Sequence, residues 1–337
     1  MSKNILSAAL AKPLQALGWL AADGSPRTPV LRFIDSILRG IGQVMLQNNS
    51  VTGLIFLAGI FYSSMLFGWA VLLGTLASTA TAMLLGADRA LVKQGLFGFN
   101  GALVAIGLLY FLEPNLLTWG YVIFAAAFST VLMAGLLRFL STWQIPVLTA
   151  PFVLTTLCFI LATARFGRLH STDVLPTAGL PKAAVVEGVV SLATLAEGLF
   201  NGIAQVFFQS STVTGVIFAL GLLFNSRVAC TAALLGSLVG LLVAWSMGAA
   251  EPAIRSGAFG FNSVLTALVF VSGFVVLNKA SAVYGLFATT AAAVVFGALS
   301  AALEPIGMPA MTAPFILVCW LFLLASPVFG AIKPVKP

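Results

Sequence analysis

The chain has 337 residues, of which 60% are hydrophobic and 7% charged, and its formal net charge is +7. A soluble domain carries about 25% charged residues, so this composition excludes a water-soluble protein and indicates a chain that lives in a lipid bilayer. Apolar runs of helical length recur along the sequence, which favours an all-α polytopic membrane protein over a β-barrel. The basic residues lie at segment ends and termini, where they set topology, and do not indicate a nucleic-acid partner.

The first segments are basic and then unusually polar. Residues 1–27 are predicted to be a cytoplasmic or interfacial segment, with a short interfacial helix over 4–22, because Lys and Arg cluster at this end of the chain. Residues 30–47 have a helical pattern that carries three charged residues and two glutamines and ends at a polar Gln-Asn-Asn-Ser stretch. This segment is too short and too polar to span alone, so we expect a re-entrant helix buried inside protein.

Five apolar segments follow in the first half, and the pattern then repeats. The predicted segments are 51–67, 69–86, 94–110, 116–137 and 145–164. The first repeat therefore covers 28–164. Residues 165–183, rich in proline and charge, form a predicted linker. The second repeat covers 184–330, and residues 331–337 form a short basic tail.

The two halves share sequence at a fixed offset. Residues 41–62 return as 203–224, 162 positions later, with 10 of 22 positions identical. The FGFN and TAPF motifs each occur twice. If five segments of each half cross the bilayer, the halves enter from opposite sides. We therefore expect two inverted repeats, each with five transmembrane helices and one re-entrant pore helix, and a path between them.

The polar residues that recur inside apolar segments are neutral, and they suggest the kind of solute. They are Gln43 and Gln205, Asn100 and Asn262, and Thr149 and Thr312. The acidic residues lie near segment ends or beside proline or glycine, and the single histidine lies in the linker, so a proton-coupled pump or a voltage sensor is disfavoured. Neutral groups, the repeated Phe99 and Phe261, and exposed carbonyls of interrupted helices favour a passive path for a flat, uncharged solute rich in N–H donors.

The motifs resemble those of the urea transporter family. The resemblance rests on the paired Gln-Val segments, the two FGFN motifs and the two TAPF motifs, covers roughly residues 28–325, and is strongest to compact bacterial members. It implies ten spanning helices with two re-entrant pore helices, a homotrimer with one pore in each protomer, and channel-like urea transport without ions, ATP, cofactors or enzymatic activity. It also implies a location in the bacterial inner (cytoplasmic) membrane.

The resemblance implies roles for ten residues. Gln43 and Gln205 would accept hydrogen bonds at the two ends of an oxygen ladder, and backbone carbonyls of the same helices would continue it. Aromatic and aliphatic side chains would form two slots for flat urea, and the hydroxyls would mark a narrow middle. The slot residues are Phe99, Leu103 and Leu46 on one side and Phe261, Leu265 and Phe208 on the other, and the middle is Thr149 and Thr312.

Two alternatives stay open at this point. A channel for another small neutral solute is possible, although ammonia would favour pore histidines and water would favour paired Asn-Pro-Ala motifs, neither of which the sequence offers. Short amides are not separated from urea by these arguments. An ion-coupled secondary carrier would need acidic residues at mid-depth, for which Asp35 and Glu197 are the repeated candidates.

Overall fold

The computed structural model describes residues 28–181 and 185–335. The interfacial helix predicted over 4–22 therefore lies outside the described residues. The described part of the chain is helical, and its extended pairing is limited to two isolated bridges, Leu112–Ser171 and Val275–Pro334. The helices of the first half are α1 (Pro29–Gln43), α2 (Ser50–Ser63), α3 (Met65–Leu84), α4 (Arg89–Lys93), α5 (Gly98–Phe111), α6 (Leu116–Leu140) and α7 (Ala150–Thr163).

The second half has the same seven helices in the same order. They are α8 (Leu192–Ala204), α9 (Thr212–Asn225), α10 (Arg227–Ser246), α11 (Glu251–Arg255), α12 (Gly260–Val271), α13 (Lys279–Leu303) and α14 (Ala313–Ala325). Short 3-10 turns follow some of them, at Ser141–Trp143, Gln205–Phe207, Glu304–Ile306 and Ser326–Val328.

Five described helical runs are long and apolar enough to cross a membrane. They are Met65–Leu84, Leu116–Trp143, Arg227–Ser246, Glu251–Val271 and Lys279–Ile306. A sixth results if α8 with its 3-10 turn and α9, bent by 74° at their break, count as one span. The remaining apolar helices are shorter, and a 14-residue helix such as α2 rises only about 21 Å against a hydrocarbon core of about 30 Å. The chain is a polytopic membrane protein, and the count of ten spans stays a prediction.

The repeated glycines determine where the predicted segment 94–110 becomes helical. The sequence favours an interruption at the FGFNG stretch, residues 97–101, but the break lies just before it and α5 runs without interruption from Gly98 to Phe111. The chain breaks between α4 and α5 at Gly95, whose φ is +74°. A Cβ on Gly95 would lie 2.3 Å from the backbone nitrogen of Gly40 in α1, so only glycine lets the two backbones approach this closely. Gly257, with φ +77°, makes the corresponding contact with Gly202 in α8. At each break, the chain therefore packs against the candidate re-entrant helix of the same half, which is α1 in the first half and α8 in the second.

The halves meet through α2 and α9 in reciprocal contacts. The Thr52 hydroxyl donates to the carbonyl oxygen of Gly221 at 3.1 Å, and the Thr214 hydroxyl donates to that of Gly59 at 3.3 Å. Each glycine that accepts one of these bonds also packs against a phenylalanine of the opposite helix. A Cβ on Gly59 would lie 2.9 Å from the ring of Phe218. The reverse contact, at Gly221, is 2.8 Å. Small residues let the two helices pack closely here, as membrane helix pairs often do.

The asparagines of the FGFN motifs position the starts of α7 and α14. Asn100 Oδ1 accepts from the backbone N–H of Phe152 at 3.0 Å, and its Nδ2 donates to the carbonyl oxygen of Leu148 at 3.4 Å. Asn262 makes the same two bonds to the start of α14, each at 3.1 Å. Both asparagines are fully buried. Each side chain therefore ties a half-length helix to the segment that precedes it.

Replacing Asn262 with alanine is expected to destabilise the protein. The substitution leaves a buried N–H and a buried C=O without partners, at a cost of about 1–3 kcal/mol each. The apparent melting temperature in detergent, followed by size-exclusion chromatography, should fall well below that of the wild type. The control is Thr290→Ala, which removes an exposed hydroxyl bonded only to its own helix. Equal melting temperatures for the two variants would contradict the anchoring role of Asn262.

Candidate functional site

Two cavities of similar size enter the protein, and their linings correspond between the halves. Cavity 1 has a volume of about 780 Å³, and Gln43, Leu46, Phe99 and Thr149 are among its lining residues. Cavity 2 has a volume of about 810 Å³, and its lining includes Gln205, Phe208, Phe261 and Thr312. Each of these four residues lies 162 or 163 positions after its counterpart in cavity 1. Eight of the ten residues singled out in the sequence therefore line one of these two cavities.

The other two residues lie behind the cavity walls. Leu103 is 0% exposed and Leu265 is 1% exposed. Neither lines cavity 1 or cavity 2. Each follows a slot phenylalanine by four residues, one helical turn further along α5 or α12. In this structure they pack in the core next to the site rather than face the open space.

The candidate re-entrant helices α1 and α8 end at the cavities. Leu46 has φ +59° and Phe208 has φ +57°, so both chains turn through the left-handed region just after the helix. Such a conformation in a non-glycine residue costs of order 1–3 kcal/mol and is often found at functional sites. Buried glutamines close both turns: Gln47 Nε2 donates to Met45 O, and Gln209 makes the matching bond at 2.7 Å.

These helix ends present oxygen atoms at the cavity walls. The Gln43 Nε2 donates to the carbonyl of Gln94 at 2.9 Å, and the Gln205 Nε2 donates to the Ser210 hydroxyl at 2.7 Å. Their Oε1 atoms receive no hydrogen bond from the described residues, nor do the backbone oxygens of Val44 and Val206. Helix C-termini leave carbonyl groups without intrahelical partners. Each cavity therefore has acceptors that a solute with N–H donors can use.

Cavity 1 and cavity 2 meet at a pair of buried hydroxyls. Thr149 Oγ1 and Thr312 Oγ1 are 2.7 Å apart, and the two residues are 3% and 4% exposed. Both stand at the N-cap positions of α7 and α14, yet neither hydroxyl caps its helix. The residues before them, Leu148 and Met311, have φ values of +55° and +46°. These two residues change the direction of the backbone just before each helix, so the two hydroxyls point toward each other rather than toward their own helices.

The linings of cavity 1 and cavity 2 are nearly free of charge. Among the described lining residues Glu304 of cavity 2 is the single charged side chain. Asp35 pairs with Arg39 at 2.7 Å, and Glu197 pairs with Arg255 at 2.9 Å, and neither acid lines either cavity. In the part of the chain that the structure describes, no group of three His, Cys, Asp or Glu residues could hold a metal ion.

The two cavities differ in aromatic content. Phe208 has a ring centroid 5.2 Å from that of Tyr110 and 6.1 Å from that of Phe152, whereas its counterpart in cavity 1 is Leu46. Phe261 has a centroid 5.5 Å from that of Phe296. Cavity 2 thus has more aromatic ring surface in its lining than cavity 1 does.

Sequence reasoning did not identify some of the lining residues. Phe296 lies where the first half has Met133, so a search for residues identical in both halves misses it. Residues 176–180 also line cavity 2, although they belong to the predicted linker and have no counterpart in the repeats. The backbone N–H of Gly179 donates to the carbonyl of Glu304 at 3.2 Å, which holds this segment at the cavity. Only the three-dimensional structure brings them to the site.

Comparisons with known proteins agree with the motifs. The family model described as Urea transporter matches residues 34–327. Urea transporter 1 of Rattus norvegicus is 30% identical over 324 residues, covering 93% of this chain and 84% of the relative. Urea transporter 1 of Ovis aries is 29% identical over 326 residues, with the same coverage of 93% and 84%. The family match spans most of the sequence and includes all the candidate site residues, and we conclude that the chain belongs to the urea transporter family.

Proposed function

We propose that this chain is a passive, channel-like path for urea, which runs from cavity 1 past the Thr149–Thr312 pair into cavity 2. Membership of the urea transporter family supports urea transport across a membrane, and a transporter rather than an enzyme. The observation that carries the finer proposal is the 2.7 Å contact of two buried hydroxyls between two cavities with corresponding linings. No other small-solute or carrier function gains a comparable observation.

The chemistry of the walls suits urea. Burying an amide group without a hydrogen bond costs roughly 2–7 kcal/mol, so each urea N–H needs an acceptor at every step. The free oxygens of Gln43, Val44, Val206 and Gln205 supply acceptors in the two cavities. The slot phenylalanines offer flat faces for a flat solute. At the middle, the threonine hydroxyls can exchange their mutual bond for bonds to urea.

The same cavity walls disfavour the passage of ions. A charged group at mid-membrane costs at least about 2.5–3.5 kcal/mol, and an aromatic ring does not replace an ion's hydration shell. No described side chain at the threonine pair carries a charge to offset that cost. We expect urea to move down its own gradient, without a coupling ion.

We further propose that the halves are inverted repeats. The reciprocal α2–α9 contacts support a two-fold relation, because in such an interface residue i meets j while j meets i. An axis in the membrane plane would direct α1 and α8 toward each other from opposite sides. Four further proposals rest on the family resemblance: ten membrane spans, the five-part division of the chain, a homotrimer, and a location in the bacterial inner membrane. The relatives compared are mammalian.

Urea flux should be insensitive to ion gradients. In stopped-flow efflux from proteoliposomes, we expect the same urea rate with and without an imposed proton or sodium gradient. Asp35→Asn and Glu197→Gln should keep that gradient-independent flux, because both acids are held in ion pairs outside cavity 1 and cavity 2. Flux that requires a gradient and is lost in either variant would contradict the channel and favour an ion-coupled carrier.

Urea flux should depend on the hydroxyl groups of Thr149 and Thr312 more than on the shape of the two side chains. Thr149→Val with Thr312→Val keeps the side-chain volume but removes both acceptors, and an unmet hydrogen bond of about 1–3 kcal/mol at the narrow point should slow urea roughly tenfold or more. Thr149→Ser with Thr312→Ser keeps the hydroxyls and should retain most of the flux. The two double variants are compared at equal protein content in the same efflux assay. Wild-type flux in the valine variant would overturn the assigned role.

A further inference from the structure

A third cavity, of about 720 Å³, lies away from the proposed urea path, and we call it the basic groove. It is bounded by the first turns of α1, the C-terminal end of α3, and α4. Its lining includes Arg32, Met83, Asp88, Arg89 and Lys93. None of these residues lines cavity 1 or cavity 2.

The charge of the basic groove is not balanced. Arg32, Arg89 and Lys93 are all exposed, and no described acidic residue forms an ion pair with them. Asp88 is the one acid in the lining, and its Oδ1 already accepts from the backbone N–H of Ala90 at 2.7 Å. The lining therefore carries three cations against one carboxylate. Basic pockets between membrane helices are a recurring form of site for lipid headgroups.

The second half shows what the same place in the fold looks like when its charge is balanced. The positions 162 residues after Arg32, Arg89 and Lys93 hold Thr194, Glu251 and Arg255. Arg255 there donates to Glu251 at 2.7 Å and to Glu197 at 2.9 Å, and it also contacts the Thr194 hydroxyl at 3.2 Å.

The first half cannot form that network. Its acid at the position of Glu197 is Asp35, which Arg39 holds at 2.7 Å. At the position of Glu251 stands Arg89, which carries the opposite charge. The fold therefore does not require an unpaired cluster here, and the first half differs from the second by leaving one.

The surroundings of the basic groove suit a lipid rather than a free anion. The groove lies at the end of α3, a helix long and apolar enough to cross a membrane. Exposed apolar side chains flank it on both elements: Val30 and Ile34 on α1 are 68% and 47% exposed, and Leu84 and Leu85 at the C-terminal end of α3 are 86% and 68% exposed. A lipid whose phosphate contacts the cations would thus have its acyl chains beside this apolar rim.

We propose that the basic groove binds the phosphate of an anionic phospholipid, with its acyl chains against the apolar rim of α1 and α3. The chain before residue 28 is itself basic, with Lys3, Lys12 and Arg27 against the single acid Asp23. The bound phosphate replaces the two carboxylates that balance Arg255 in the second half.

The test is native mass spectrometry of the full chain in detergent, titrated with phosphatidylglycerol or with phosphatidylcholine of the same acyl chains. The variant is Arg32→Thr with Arg89→Glu, which writes the second half's residues into the groove. Losing two cations and gaining a carboxylate should weaken phosphatidylglycerol binding at least about tenfold. The matched control is Arg165→Thr with Arg168→Glu, the same charge change at two exposed arginines outside the groove.

The proposal expects the wild type and the control to prefer phosphatidylglycerol and the groove variant to lose that preference. Equal binding of both lipids by the wild type, or an equal loss in the control, would overturn it. Displacement of the lipid by millimolar inorganic phosphate would also overturn it, since the site would then be one for a free anion. Urea flux reports folding of each variant, and if the double variant is inactive, Lys93→Gln is tested against the same criteria.

Discussion

A polar group buried away from water must find its partner inside the protein, and at the centre of this structure Thr149 and Thr312 find it in each other. Their contact requires two half-length helices to begin at the same depth. Asn100 and Asn262 fix those beginnings by bonding the first turns of α7 and α14. The cavities can then approach from both sides without a continuous apolar wall between them. Every polar group that closes the middle is neutral, so the middle can exchange partners with a neutral solute.

Much of the site could be predicted from the sequence because duplication repeats polar residues at one offset. Glutamine and asparagine inside apolar runs are costly unless they serve a purpose. The recurring glutamines line the two cavities, and the recurring asparagines anchor α7 and α14. The same argument did not give the inner turns, because the left-handed Leu148 and Met311 are ordinary apolar residues in sequence. Leu103 and Leu265 were expected on the slots through the family resemblance, and they are buried beside them. Phe296 could not be identified in this way, because the argument depends on residues that are identical in both halves and the corresponding residue of the first half is Met133.

The two halves share a backbone but have diverged where they face different surroundings. Phe208 adds an aromatic ring to the lining of cavity 2 at the position where cavity 1 has Leu46. Arg255 is balanced by two carboxylates where the first half has the basic groove. The order of the helices, the glycine breaks and the asparagine anchors are the same in both halves, because the packing and hydrogen bonding around the two cavities depend on them. Side chains outside that set differ between the halves, as Phe208 and Leu46 do.

The central claim is that urea passes between Thr149 and Thr312. Cysteines at both positions, in a chain whose own Cys158, Cys230 and Cys319 are replaced, would place two sulfurs within reach of a disulfide, because the present oxygens are 2.7 Å apart. The account predicts that oxidation abolishes stopped-flow urea efflux, that a reductant restores it, and that either single cysteine is unaffected by both treatments. Complete cross-linking, verified by mass spectrometry, with undiminished urea efflux would contradict the path proposed here.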